Sequence, residues 1–163
     1  RAAFRDEVLR VDARRLFFGN ALGNGAGFLF KRSTAVGLGG YDAAEWPSAD
    51  FLFYVRMALN GTLLWLNEEL ADVGLGDNES MAPEVLLQFV VQLHEIRQRL
   101  VGTALPARWI GMAPLLAANH VRLAELVWGV RLDPAIVEEQ LGFVLPRPDL
   151  LRERLLQLRH GVL

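Results

Sequence analysis

The chain has no cysteine. Disulfides, thiolate metal sites and cysteine nucleophiles are therefore excluded. It has a single lysine, Lys31, among 17 basic residues. Nearly every cation is thus an arginine, whose planar fork suits oxyanions, although an arginine bias also follows from genome composition. An excess of charge of either sign is missing as well, with 17 basic against 19 acidic residues and a net charge of -2. No broad positive field is present to attract nucleic acid, so nucleic acid is not an expected partner. No run of about 18 apolar residues is free of charge, so no spanning helix is expected. The first ten residues, RAAFRDEVLR, are amphipathic and charged, unlike a signal peptide. The three histidines, His94, His120 and His160, are widely spaced and form no H-x-x-H or H-E-x-x-H pattern, so no histidine metal motif is expected.

What is present is apolar. Hydrophobic residues make up 52% of 163, and the mean hydropathy is +0.23. This length suits one domain or one compact part of a larger protein. The composition is rich for a free-standing domain, and some of the surface is expected to meet a partner, a membrane face or further chain. Residue 1 is Arg, and the expectation is a chain that starts inside a longer protein or follows a processed end.

Residues 1–18 look helical in part, with Asp12 capping ARRLFF and Gly19-Asn20 ending it. Gly23, Gly25 and Gly27 lie within five residues and make a loop whose backbone can approach a ligand closely. GFLFKRS reads as a strand. Ser33 or Thr34 then caps a brief helix, TAVGL, stopped by Gly39-Gly40. Pro47-Ser48-Ala49-Asp50 opens a helix carrying Phe51, Tyr54, Val55 and Ala58 at helical spacing, ended by Asn60-Gly61. TLLWLN and LADVGL are strand candidates, and GDNES is a polar turn. From Pro83 the chain reads as four helices, EVLLQFVVQLHEIRQRLVG, ARWIGMAPLLAANHVRLAELVWGV, PAIVEEQLGFVL and RPDLLRERLLQLRH. Leu86, Phe89, Val90, Leu93 and Arg97 keep the helical period. The expected division is an α/β part over residues 1–82 and a helical extension over residues 83–163.

Asp50 is the residue that invites chemistry. An acid at a helix start is electrostatically favoured as the anion, and a carboxylate within reach of a hydroxyl can act as its general base. The plain alternative is a helix-capping acid. Glycine loops expose backbone N–H groups to phosphates. Trp46 beside Pro47 can stack on a sugar face or pack in the core. Arg56 reads as a salt-bridge or core-edge residue rather than a phosphate ligand.

Taken in order, Gly25-Ala26-Gly27-Phe28-Leu29-Phe30-Lys31-Arg32-Ser33, Gly39-Gly40-Tyr41-Asp42, Pro47-Ser48-Ala49-Asp50-Phe51, Arg56 and Gly61 resemble the C-terminal half of the catalytic domain of family 2 glycosyltransferases, inverting enzymes of the GT-A fold. The resemblance covers about half the chain. It implies a partial GT-A-like, acceptor-side α/β half followed by an α-helical region. It implies that Asp50 deprotonates the acceptor hydroxyl, that Gly25 and Ala26 lie against the donor sugar, and that Trp46 and Ala49 belong to the substrate site. It also implies a nucleotide-sugar donor, a glycan or lipid-linked acceptor, and a divalent Mg²⁺ or Mn²⁺ whose ligands lie mostly outside this chain. The sequence departs from the family pattern in three places. Ala49 replaces the Glu of an acidic pair, Gly74 and Gly76 stand where an Arg and a His are usual, and no D-x-D occurs. Asp77 is a weak substitute ligand. Within this resemblance the protein is cytoplasmic, with oligomerisation through the helical tail or peripheral membrane contact as further expectations. The rival reading is a non-catalytic helical interaction or dimerisation module on a degenerate glycosyltransferase scaffold.

Overall fold

The computed structural model describes residues 8–20, 22, 26–66, 81–147 and 150. The chain falls into two compact units, Arg1–Gly76 and Asp77–Leu163.

In the first unit, β1 (Leu9–Val11) is followed by α1 (Ala13–Phe18), α2 (Arg32–Gly37), a 3-10 turn (Ala43–Glu45), α3 (Ala49–Asn60) and β2 (Leu63–Trp65). β1 and β2 form an antiparallel pair with Val11 opposite Leu63 and Leu9 opposite Trp65. The alternation of a strand sends Val11 and Leu63 inward, where both are buried, and leaves Arg10 and Leu64 outside. Asp12 starts α1, its Oδ1 accepting from the Arg15 N–H at 3.1 Å, and Gly19 ends it. Leu16 and Phe17 of α1 and Phe51, Phe53, Tyr54 and Val55 of α3 are buried. α3 packs on α1, on β2 and on the 3-10 turn. Each large apolar side chain so covered contributes roughly 1.5–3 kcal/mol relative to exposure.

The second unit holds α4 (Pro83–Thr103), a 3-10 turn (Ala107–Met112), α5 (Ala113–Trp128) and α6 (Pro134–Leu141). α4 buries Leu86, Val90, Leu93, Ile96, Arg97 and Leu100, a stripe at helical spacing. Its core joins Leu86 and Val90 to Ala117, Ala124, Leu132 and Val137. The two alanines are small enough to let the facing helices approach closely. Asp133 caps α6 through its Oδ1, which accepts from the Ala135 N–H at 2.9 Å, and Pro134 occupies the first turn, where its missing donor costs nothing.

The α/β expectation is overturned. The described residues are mostly helical, with a two-stranded sheet and no larger one, which is not a GT-A-like half. The largest single difference is GFLFKRS. Residues 28–31 form no ladder and α2 begins at Arg32. A strand needs a neighbour for its backbone groups, and here the run instead lays Phe28 and Phe30 on α3 while Leu29 points to solvent, 95% exposed. Lys31, rather than Ser33 or Thr34, precedes α2, and it contributes no side-chain cap. Residues 107–130, expected as one helix, divide at Ala113, where Pro114 opens α5. LADVGL, GDNES with Gly74, Gly76 and Asp77, and nearly all of RPDLLRERLLQLRH lie outside the described residues.

Candidate functional site

Asp50 is the second residue of α3, in its first turn. Ala49 precedes it, half-buried, and offers no charge where an acidic pair would repel. Tyr54 follows one turn on, so positions 50, 53 and 54 share one face of the helix. Phe28 packs on this face, its ring 4.6 Å from that of Tyr54 and 6.4 Å from that of Phe53. Phe30 meets Phe53 edge-on at 5.3 Å. Tyr41 arrives from the turn after α2 and lies 4.8 Å from Phe53. The result is an aromatic cluster of Phe28, Phe30, Tyr41, Phe53 and Tyr54 built against the start of α3.

Two hydroxyls and one carboxyl share this corner. The Tyr54 hydroxyl is buried and closes no well-shaped hydrogen bond, although the Tyr41 hydroxyl is near enough to couple with it. Burial pushes the Asp50 carboxyl above its ordinary pKa, opposed by the backbone N–H groups of Phe51 and Asp50 itself. The Phe51 N–H donates to Asp50 Oδ1 at 2.6 Å. Burial likewise raises Tyr41, countered by the Tyr54 hydroxyl and reinforced by the Asp50 charge. Tyr54 is raised further, first by burial and then by the charges of Tyr41 and Asp50. The arrangement places a carboxyl whose burial disfavours the anion in the same corner as two phenol hydroxyls.

The remaining expected residues divide. Trp46 is 51% exposed, on the loop that carries Tyr41 and four residues before Asp50. Half of its surface is therefore accessible to solvent. Ala26 is exposed in a turn, two residues before Phe28, so the chain leaving the glycine loop runs onto the Asp50 face of α3. Gly25 lies outside the described residues. Sequence reasoning missed Tyr41 and Tyr54 as site residues. Tyr54 carried a usable signal, since it stands at i+4 from Asp50. Tyr41 stood in the Gly39-Gly40-Tyr41-Asp42 motif, but its approach to α3 was not readable, because it depends on a turn through Gly39 and Gly40, both at positive φ.

Among the described residues no three His, Asp or Glu side chains converge as a metal ion requires. The donor set around Asp50 is one carboxylate and two phenols, which does not fit a divalent ion. In the second unit His94 and His120 lie inside the helix packing. Arg97 Nη2 is 3.1 Å from His120 Nδ1. A guanidinium can only donate, so Nδ1 accepts and the imidazole is neutral. Burial, and then the Arg97 charge, push His120 down to about 3. Burial alone pulls Arg97 to about 9. His94 and Arg97 are buried, and His120 is partly buried. No described helix is long and apolar enough to cross a membrane.

No protein-family model matches the chain, and no curated protein or solved structure matches it.

Proposed function

We propose that this chain is part of an inverting glycosyltransferase in which Asp50 is the general base. The observation that carries the reading is the half-buried Asp50 carboxyl in the first turn of α3, on the face where Tyr41 and Tyr54 pack, its pKa raised by burial. The order of motifs around Gly25, Ala26, Ala49 and Asp50 supports it, as does the partial exposure of the aromatic residues Trp46 and Tyr41, 51% and 49%. In the step proposed, the acceptor hydroxyl hydrogen-bonds to Asp50. Its proton passes to the carboxylate as its oxygen forms a bond to the anomeric carbon. The bond from that carbon to the nucleoside diphosphate breaks on the opposite face, and the diphosphate leaves with the electron pair. The configuration inverts because one displacement occurs. Donor diphosphate contacts, and any Mg²⁺ or Mn²⁺ that meets its charge, belong to groups outside the described residues, and no step here runs through them. Within this proposal the enzyme is cytoplasmic and its acceptor is a glycan or a lipid-linked sugar.

The test is calorimetry with a nucleoside diphosphate and Mn²⁺ on this chain and on one extended upstream, followed by transfer assays. We expect binding by the longer chain, and a loss of transfer by about 100-fold or more in Asp50→Asn with binding retained. Transfer at the wild-type rate by Asp50→Asn would remove Asp50 from the role.

One observation favours a second reading for the helical unit. At the end of α5, Leu126, Val127 and Trp128 are 66%, 64% and 42% exposed, and Ile136 of α6 is 48% exposed. Exposed large apolar side chains of this kind suit a partner helix or a second copy. Sedimentation velocity on wild type and on Leu126→Glu/Val127→Glu decides it. Self-association lost in the variant supports the reading, and a monomer at all concentrations removes the second copy.

A further inference from the structure

Arg56 lies on α3 well below Asp50 and spends both terminal nitrogens on the loop that precedes the helix. Its Nη1 donates to Glu45 Oε1 at 2.6 Å, and its Nη2 donates to the Gly40 carbonyl oxygen at 2.7 Å. The two acceptors bracket the loop. Gly40 is the residue before Tyr41, and Glu45 closes the 3-10 turn just before Trp46. Inside the bracket, Asp42 Oδ1 accepts from the Ala44 N–H at 2.9 Å and stiffens the turn. The ion pair is sheltered, with the two side chains only 27% and 24% exposed. A guanidinium is planar and rigid, so two bonds from its two ends fix an orientation as well as a distance. Gly40 has φ +61°, where a side chain would be strained, and its carbonyl is the one Arg56 holds.

We infer that Arg56 is a positioning residue for the Asp50 site, pinning both ends of residues 40–45 to α3 and so keeping the Tyr41 ring on Phe53, on the face of α3 that carries Asp50. The inference rests on the reading of Asp50 as the base. Arg56 touches neither a substrate nor the reacting atoms in this scheme. It acts through the loop, which carries the two partly exposed aromatic residues, Tyr41 and Trp46. The titratable groups that meet there are Asp50 and Tyr54 from α3 and Tyr41 from the loop. Arg56 and Glu45 are the clamp itself.

The chain has two tyrosines, and both are in this cluster, so tyrosinate absorbance reads the site alone. The experiment titrates the full chain by tyrosinate absorbance and by carbon-13 shifts of the Asp50 carboxyl. The variants are Arg56→Met, which keeps an apolar stem, and Arg56→Lys, which keeps the charge without the fork. With the helix content unchanged, Arg56→Met is expected to bring Tyr41 back to the ordinary phenol range and to lower the Asp50 midpoint. Arg56→Lys is expected to recover only part of each shift. Should Arg56→Met fail to fold, Glu45→Ala removes one arm and must move Tyr41 in the same direction. Unmoved midpoints in the folded variants would overturn the clamp. A wild-type Asp50 that titrates in the ordinary carboxylate range would instead overturn the reading of Asp50 as a base of raised pKa, which separates the two failures.

Discussion

Phe53 supports the site's geometry, and Phe53→Leu tests how much. Its side chain is fully buried, and its ring meets those of Phe28 at 6.4 Å, Phe30 at 5.3 Å and Tyr41 at 4.8 Å. Leucine keeps most of the apolar area, so the loss falls on ring pairing and on shape. An aromatic pair contributes about 0.5–1.5 kcal/mol beyond its buried area. Placing the distant Phe28 pair at the low end and the other two near the middle gives roughly 2.5 kcal/mol for the three. The void left behind is shallow, because Phe30 and Tyr41 are 36% and 49% exposed and free to settle inward. It adds less than about 1 kcal/mol. The expected cost is therefore about 3 kcal/mol. Amide hydrogen exchange of α3 under native conditions is the suitable assay, since it reports this unit separately from the helical one. In a double-mutant cycle with Tyr41→Leu, the coupling should be about 1 kcal/mol. A cost below about 1 kcal/mol, or no coupling to Tyr41, would refute the view that the aromatic cluster holds the site together.

Other expectations concern single groups. A carboxyl whose folded pKa is raised contributes stability below its unfolded pKa and loses it as pH rises through the folded one. Asp50→Asn should therefore stabilise the first unit at neutral pH and give no gain in acid, read by denaturation at both pH values, and an equal gain at both would contradict the desolvation of Asp50. His120 behaves in the opposite way, with its folded pKa pushed down to about 3 beside Arg97. Its contribution is full above about pH 6.5 and fades as pH falls toward 3. The loss is at most about 5 kcal/mol, and His120→Gln, which keeps an acceptor and cannot titrate, should flatten the acid unfolding profile of the helical unit. Ala117 has 0% exposure against α4, so Ala117→Leu should cost roughly 2–3 kcal/mol by overpacking, and a neutral result in thermal unfolding would mean the helices part easily.

The parts of the fold that the sequence made legible are those set by neighbours along the chain. Asp12 and Gly19 bound α1 as their chemistry requires, and α3 starts after Ser48 and stops before Gly61. TLLWLN contains β2. GFLFKRS was not legible, because a short apolar run looks the same whether a sheet neighbour or a helix face receives it. The strand Leu9–Val11 was hidden for the converse reason, since its pairing depends on residues 63–65. The place of Asp50 at a helix start was legible. Its setting was not, because Tyr41 and the Arg56 contact to Glu45 reach it through a turn, across nine and eleven positions of sequence.

The pairing of Val11 with Leu63 also has a consequence in time. The two units assemble by different routes. In the helical unit α4, α5 and α6 pack on elements close to them in sequence, so they can dock as soon as each is made. In the first unit the sheet joins residues about fifty positions apart, and closing so long a loop delays the contact. During synthesis β1 leaves the ribosome with its hydrogen-bonding edge bare, and it stays so until α3 and the three residues of β2 have followed. Conditions that slow the chain between Phe18 and Leu63 lengthen the interval in which that edge can pair with the wrong strand, and the helical unit offers no protection because it has not yet been made.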